Sequence, residues 1–226
     1  MSKNRLDPLS LVASTYKIDE KIKNRILVKS KFLRDEVSEI ERLSGVSYPT
    51  YYVEPTLTVS VASDNYGGIG ILYARTIPLE TGRRIEILVQ VSAALVIYAS
   101  RQTLRRVLAH EFLHYLELVK KFSSGQISSE LSSESMFEER FEDGRRVIDA
   151  NKIFSKRWKL AKDLNEDFEV GFSDDKLNEK CRKFWIEKGL PTVKISMAAN
   201  QSKISMESLT NTRFDPGALK LLSDIV

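Results

Sequence analysis

The sequence predicts an α+β fold. It reads as a small, mainly antiparallel sheet packed on a long helix and on a second, glutamate-bearing helix, followed by an α-helical C-terminal region. Three observations predict it. Short runs rich in β-branched and aromatic residues, separated by turn residues, fill positions 48–91. Apolar residues at helical spacing bracket them at 19–43 and 101–121. Beyond residue 150 the helical pattern dominates.

In order, residues 1–17 form an arm without a sustained apolar pattern, 18–150 a first domain and 151–226 a helical appendage. From 19 to 43, Ile22, Ile26, Phe32 or Leu33, Val37 and Ile40 make an apolar stripe that packs the helix on the sheet. Asp19 and Glu20 open that helix, and Ser44-Gly45 closes it. Strands follow at 48–53 and 56–62, where Pro49 and Pro55 argue for an edge or a bend. A turn at 64–68 leads to an extended run at 69–79. A second turn at 80–83 leads to the strand from Arg84 to Val91. Gly67, Gly68 and Gly70 belong to a strand-connecting turn, because the phosphate-loop spacing with its Lys-Ser/Thr ending is absent.

Ser100 caps the helix at 101–121, whose stripe is Leu104, Leu108, Phe112 and Leu116. After a serine-rich stretch, Ser135 and Glu138 form a capping box that opens the second helix. Five acids, Glu134, Glu138, Glu139, Glu142 and Asp143, crowd its start. Helices are expected at 152–168 and 173–188, and a last short one after Asp215-Pro216.

Composition bounds the function. The chain has 226 residues, 42% hydrophobic and 29% charged, as expected of a globular protein able to bury a core without disulfides. Its single cysteine, Cys181, excludes an internal disulfide and suits a reducing compartment. The N-terminus lacks a signal-peptide core, and the most apolar run, 87–99, is too short to span a bilayer. A cytoplasmic protein without membrane contact is expected. The net charge of +4 permits nucleic-acid contact without demanding it.

The chemistry lies in His110-Glu111-Phe112-Leu113-His114. Residues four apart on a helix share a face, so the two imidazoles can converge on one metal ion. Glu111 stands beside the first ligand, where it can take a proton from a water that the metal activates. Both histidines of the chain are in this motif. Two histidines placed at random fall four apart roughly 1% of the time, which makes an incidental pair a poor explanation.

A catalytic zinc site needs a third protein ligand, and no histidine is left to supply it. A carboxylate from the second helix is the natural replacement. The motif helix continues about seven residues past His114, roughly 10 Å of rise, and a returning helix must cover a similar distance. A start near 132 delivers Glu138 or Glu139, and a start near 128 delivers Glu134. Glu134 and Glu138 flank the face of Phe137, Phe141 and Ile148, whereas Glu139 points largely away. The expected order is therefore Glu138, with Glu134 and Glu139 as alternates.

On these residues, from about Gly67 to Ala150, the sequence resembles the gluzincin group of zincin metallopeptidases, and the compact minigluzincins in particular. The resemblance implies a zinc-dependent peptidase acting on peptide or protein substrates, with His110, His114 and a glutamate on the metal and Glu111 as general base. In that family the third ligand often has an acid four residues on. Glu134/Glu138, Glu138/Glu142 and Glu139/Asp143 all satisfy this, so the choice stays open. The resemblance also implies that the strand from Arg84 to Val91 takes the substrate backbone as an added strand. The alternative is a catalytically inactive zincin-fold module that binds nucleic acid or a protein partner. Its support is the basic balance and the Lys/Arg-rich stretches at 21–34 and 176–188.

Overall fold

Asp19 begins the first helix as expected. Its carboxylate accepts a hydrogen bond from the Lys21 amide at 2.8 Å, capping α1 (Glu20–Ser44). Gly45 ends it at φ 73°, a left-handed conformation that glycine adopts without steric cost. The structure, a computed structural model, describes residues 19–61, 69–124, 148–195 and 204–225. Within them the chain continues as β1 (Thr50–Glu54), β2 (Leu57–Val61), β3 (Ile69–Leu72), β4 (Ala74–Thr81) and β5 (Arg84–Ser92). Then come α2 (Ala93–Tyr98), α3 (Arg101–Ser123) and α4 (Ala150–Ile153). A 3-10 turn (Ser155–Arg157) leads to α5 (Trp158–Val170) and α6 (Asp175–Cys181), which passes into a π turn (Arg182–Ile186). The chain closes with β6 (Thr192–Ile195), α7 (Met206–Asn211) and α8 (Pro216–Ile225).

The α+β class is as the sequence predicts, but the strands form two mixed sheets instead of one mainly antiparallel sheet. The first has the order β1-β5-β4, with β1 parallel and β4 antiparallel to β5. The second has the order β3-β2-β6, with β3 antiparallel and β6 parallel to β2. The bend at Pro55 is the physical reason. It sends the chain out of the first sheet after β1, so β1 and β2 follow each other in sequence and do not pair.

The chain returns to the first sheet at Tyr73, which splits the extended run predicted for 69–79 into β3 and β4. Tyr73 is buried, its carbonyl accepts from the Ser92 amide at 2.8 Å, and its hydroxyl donates to Asn178 Oδ1 at 2.6 Å. Tyr73 and its neighbours Leu72 and Ala74 carry no turn residue, so local propensity gives no sign of this switch. The helix α2, which the sequence reading missed, follows β5 directly because Ser92 Oγ accepts from the Leu95 amide at 3.2 Å.

The first helix packs chiefly on α2 and α3, not on the sheet. Ile26, Leu33, Val37 and Ile40 are fully buried along it. Glu36 is buried too, between Arg101 and Arg105 of α3, with 2.8 Å to Arg101 Nε.

Residues 151–226, expected as a helical appendage, pack on the rest of the chain. β6 pairs with β2, α5 and α8 pack on α3, and the Phe214 ring stacks on Phe122 at 6.1 Å. One hydrophobic core runs from Ile26 to Leu222. The helix expected at 152–168 breaks at Phe154, a fully buried residue with φ −109° and ψ 35°. Burying that ring at a non-helical backbone turns α5 back across α3. Among the described residues no helix is long and apolar enough to cross a membrane.

Candidate metal centre

The sequence pins α3 before it places any polar group on it. Ser100 Oγ accepts from the Thr103 amide at 3.0 Å, and Leu104, Val107, Leu108, Phe112 and Leu116 are buried. Tyr48 reaches across from the segment before β1, donating its hydroxyl to the Leu108 carbonyl at 2.8 Å and stacking on Phe112. With the apolar face so fixed, the flank carrying Arg106, His110 and His114 at successive turns has a definite direction.

The two imidazoles converge. Their Nε2 atoms are 3.0 Å apart, with ring centroids at 4.7 Å and planes at 73°. Two nitrogen ligands about 2.0–2.1 Å from a tetrahedral zinc lie roughly 3.3 Å apart, so a small opening of the pair would admit the ion. The Nδ1 atoms of both rings are buried and have no hydrogen-bond partner among the described residues. Glu117 Oε2 stands 3.7 Å from His114 Nδ1, one short side-chain movement from the carboxylate–histidine contact that commonly backs a metal ligand. Burial, then the neighbouring His114 and Arg106, push the His110 pKa well below its usual value. The neutral imidazole, the form that binds metal, is thereby favoured.

A wall of α5 closes one side. Phe168 lies flat on the His110 ring, 4.2 Å between centroids and 7° between planes, and meets His114 edge-on at 5.2 Å. The residue before it, Asp167, is buried and forms a bidentate pair with Arg106, one turn ahead of His110, with Arg106 Nε 2.6 Å from Oδ2. The charged pair locks α5 to α3 at the level of the histidines.

Glu111, next in sequence to His110, is buried at 6% exposure. Its Oε2 accepts a hydrogen bond from Thr76 Oγ1 of β4 at 2.7 Å, and its backbone carbonyl lies 3.0 Å from the same hydroxyl. A hydroxyl has one proton, and the shorter contact marks the carboxylate as its main acceptor. One carboxylate oxygen is thus held by the sheet.

The third-ligand candidates Glu134, Glu138 and Glu139, and the helix expected to carry them, lie outside the described residues. Among the described residues no group of three His, Cys, Asp or Glu side chains is arranged to hold a metal. The two histidines therefore fit zinc as two of its ligands and need a further donor.

The strand from Arg84 to Val91, expected to take the substrate backbone, is β5. β5 is the centre of its sheet: β4 pairs with it from Arg84 to Val91, and β1 pairs with it from Leu88 to Ser92. No edge remains over that second stretch for an added strand. At its start, the Ile85 amide donates to Thr212 Oγ1 at 2.7 Å. The strand at the sheet margin beside α3 is β4, which carries Thr76 and has no partner on its outer side among the described residues. The sequence reading also missed Thr76, Asp167 and Phe168. Arg106 alone was accessible in principle, since it sits four residues before His110 on the same helical face.

A cleft of about 740 Å3 lies elsewhere, between the C-terminal end of α1 and residues 212–215, and neither histidine nor Glu111 lines it. Compared with known proteins, the chain matches no family model, no curated protein and no solved structure.

Proposed function

We propose that this protein is a zinc-dependent peptidase that hydrolyses peptide bonds with Glu111 as general base. The observation that carries the reading is the convergence of the His110 and His114 Nε2 atoms, 3.0 Å apart on the buried-core helix that also bears Glu111. His110 and His114 would hold the ion together with a carboxylate, for which Glu138, Glu134 and Glu139 are the candidates. A zinc ion supplies Lewis acidity there, acidifying water and polarising a carbonyl.

The chain's own groups account for the rest. Glu111, with Oε2 held by Thr76, accepts a proton from the attacking water and passes it to the leaving amine. Phe168 and the Asp167–Arg106 pair hold the His110 ring in one orientation and exclude water from its face. The outer edge of β4 is positioned to pair with an extended peptide, so that the scissile bond passes Glu111. Pro78 in β4 lacks an amide proton, a feature tolerated on edge strands. The buried thiol of Cys181 suits a reducing cytoplasm.

The direct test is the metal content of the purified protein and of His110→Ala, alongside hydrolysis of a quenched peptide library by the protein and by Glu111→Gln. The expected result is about one zinc per chain, lost in His110→Ala, with hydrolysis reduced at least 100-fold and zinc retained in Glu111→Gln. A protein that binds no zinc, or a Glu111→Gln variant that keeps full hydrolysis, overturns the reading.

A further inference from the structure

The two Lys/Arg-rich stretches, 21–34 and 176–188, are far apart in sequence and meet in the fold. Residues 21–34 hold six cations and no acid, and 180–188 hold four cations and one acid, Glu187. Together they contribute nine net positive charges to a chain whose total is +4, so the remainder is net acidic. The meeting point is Tyr98, at the end of α2. Arg25 of α1 lies over its ring at 5.2 Å, and its hydroxyl donates to the Phe184 carbonyl at 3.0 Å. The Tyr98 and Phe184 rings are 6.1 Å apart, tilted by 30°.

Cations lie over each ring on this face. Lys183 and Lys188 lie 5.5 and 5.8 Å from the centre of Phe184, and Lys29 and Arg101 lie 5.0 and 5.2 Å from that of Phe32. Arg25 and Lys29 are one turn apart, so α1 presents them on one side. Neither they nor Lys183 and Lys188 form an ion pair among the described residues. Arg101 is different: Glu36 and Asp35 neutralise it. Phe184 is 39% exposed, high for so large an apolar ring.

We infer that this face, built from the N-terminal half of α1, Tyr98 and the π turn after α6, binds single-stranded nucleic acid. Phosphates would lie on Arg25, Lys29, Lys183 and Lys188, and bases would stack at Tyr98 and Phe184. In a nucleotide the phosphate is one sugar away from the base. An aromatic ring with cations 5–6 Å from its centre is the complementary arrangement. A duplex hides its base faces and would leave the rings unused. A lipid surface asks for apolar side chains that enter the acyl layer. Here Tyr98 is tied by its hydroxyl to the Phe184 backbone, and Leu27 and Val28 are the exposed large apolar side chains of α1.

The test is fluorescence anisotropy of the full chain with labelled oligothymidine and oligouridine of about 20 nucleotides, across a salt series. The comparators are a duplex of equal length and phosphatidylserine vesicles. Four phosphate contacts predict a slope of log K against log salt of about −3. The double variant R25E/K183E alters exposed side chains and is expected to bind at least tenfold more weakly, with a shallower slope. Phe184→Ala is expected to lose about fivefold or more at fixed salt with the slope unchanged. Circular dichroism and zinc content of both variants should match the parent, which separates this surface from the histidine site. The inference is overturned by absence of binding at low salt, by equal binding of duplex, by binding of vesicles alone, or by variants that bind as the parent does.

Discussion

Thr76 and Glu111 are joined across the boundary between sheet and helix by a 2.7 Å hydrogen bond, and both are buried. The bond fixes one oxygen of the Glu111 carboxylate against β4. Thr76→Val keeps the shape and removes the donor. Zinc content and KM are expected to hold while kcat falls roughly tenfold, because only the orientation of the base changes. Thr76→Ser should restore most of the rate. Equal rates for Val and Thr at this position would remove Thr76 from the mechanism.

Phe168 should matter to the metal and not to the base. Its ring covers one face of His110 at 4.2 Å and borders His114. Phe168→Ala opens that face to water and frees the ring to rotate. Zinc affinity, measured by competition with a chelating dye, is expected to fall about tenfold, within the range seen when supports behind metal ligands are lost. Asp167→Ala removes the partner of Arg106, whose side chain is 26% exposed. That residual exposure limits the cost to roughly 2 kcal/mol, below the range for a fully buried pair. A Phe168→Ala variant with parental zinc affinity would reduce the ring to core packing.

Metal removal should weaken the protein without unfolding it. The histidines sit on a helix held independently by Leu108, Phe112 and Leu116, each fully buried. A strong chelator is therefore expected to abolish hydrolysis and leave the far-ultraviolet circular dichroism unchanged at 25 °C. The melting temperature should drop by roughly 5–10 °C, the loss of a few kcal/mol of binding linkage. Collapse of the helical signal on chelation would mean that zinc organises the fold itself.

The parts legible in the sequence were those that obey local periodicity. The ends of α1 followed from Asp19 and Gly45, and the motif helix with its Ser100 cap from the spacing of Leu104 to Leu116. The parts that escaped depend on distant contacts. Residues 69–79 carry no turn signal at Tyr73, and only the pairings to β2 and β5 divide them there. Thr76 is one of many threonines, and nothing local marks it as the partner of a residue 35 positions away. The mixed sheets follow from a bend at Pro55 that was visible, but its direction is set by packing. The expectation that β5 binds substrate assumed that the last strand before the helix is also the sheet edge. The parallel pairing of β1 along Leu88–Ser92 removes that edge.

Acid should loosen the contact between α1 and the turn after Phe154 in a defined window. Glu39 receives Arg42 through two contacts of 2.8 Å and Arg157 through one of 2.9 Å. These guanidiniums, Arg42 foremost, lower its pKa from the ordinary 4.5 to about 2, against the opposing effect of burial. A folded-state pKa below the unfolded one means that the ionised form stabilises the fold. The contribution is complete above the unfolded value and is lost as pH falls from about 4.5 to about 2. Both arginines are half-exposed, so the contribution is about 1 kcal/mol or less and should shrink with added salt. Other carboxylates titrate in the same range, and subtracting the urea stability of Glu39→Gln from that of the parent isolates this one. The difference should be constant between about pH 6 and 5 and close towards pH 2. Arg157→Ala should remove part of it at every pH. A difference that does not change with pH would show that Glu39 acts through packing and not through its charge.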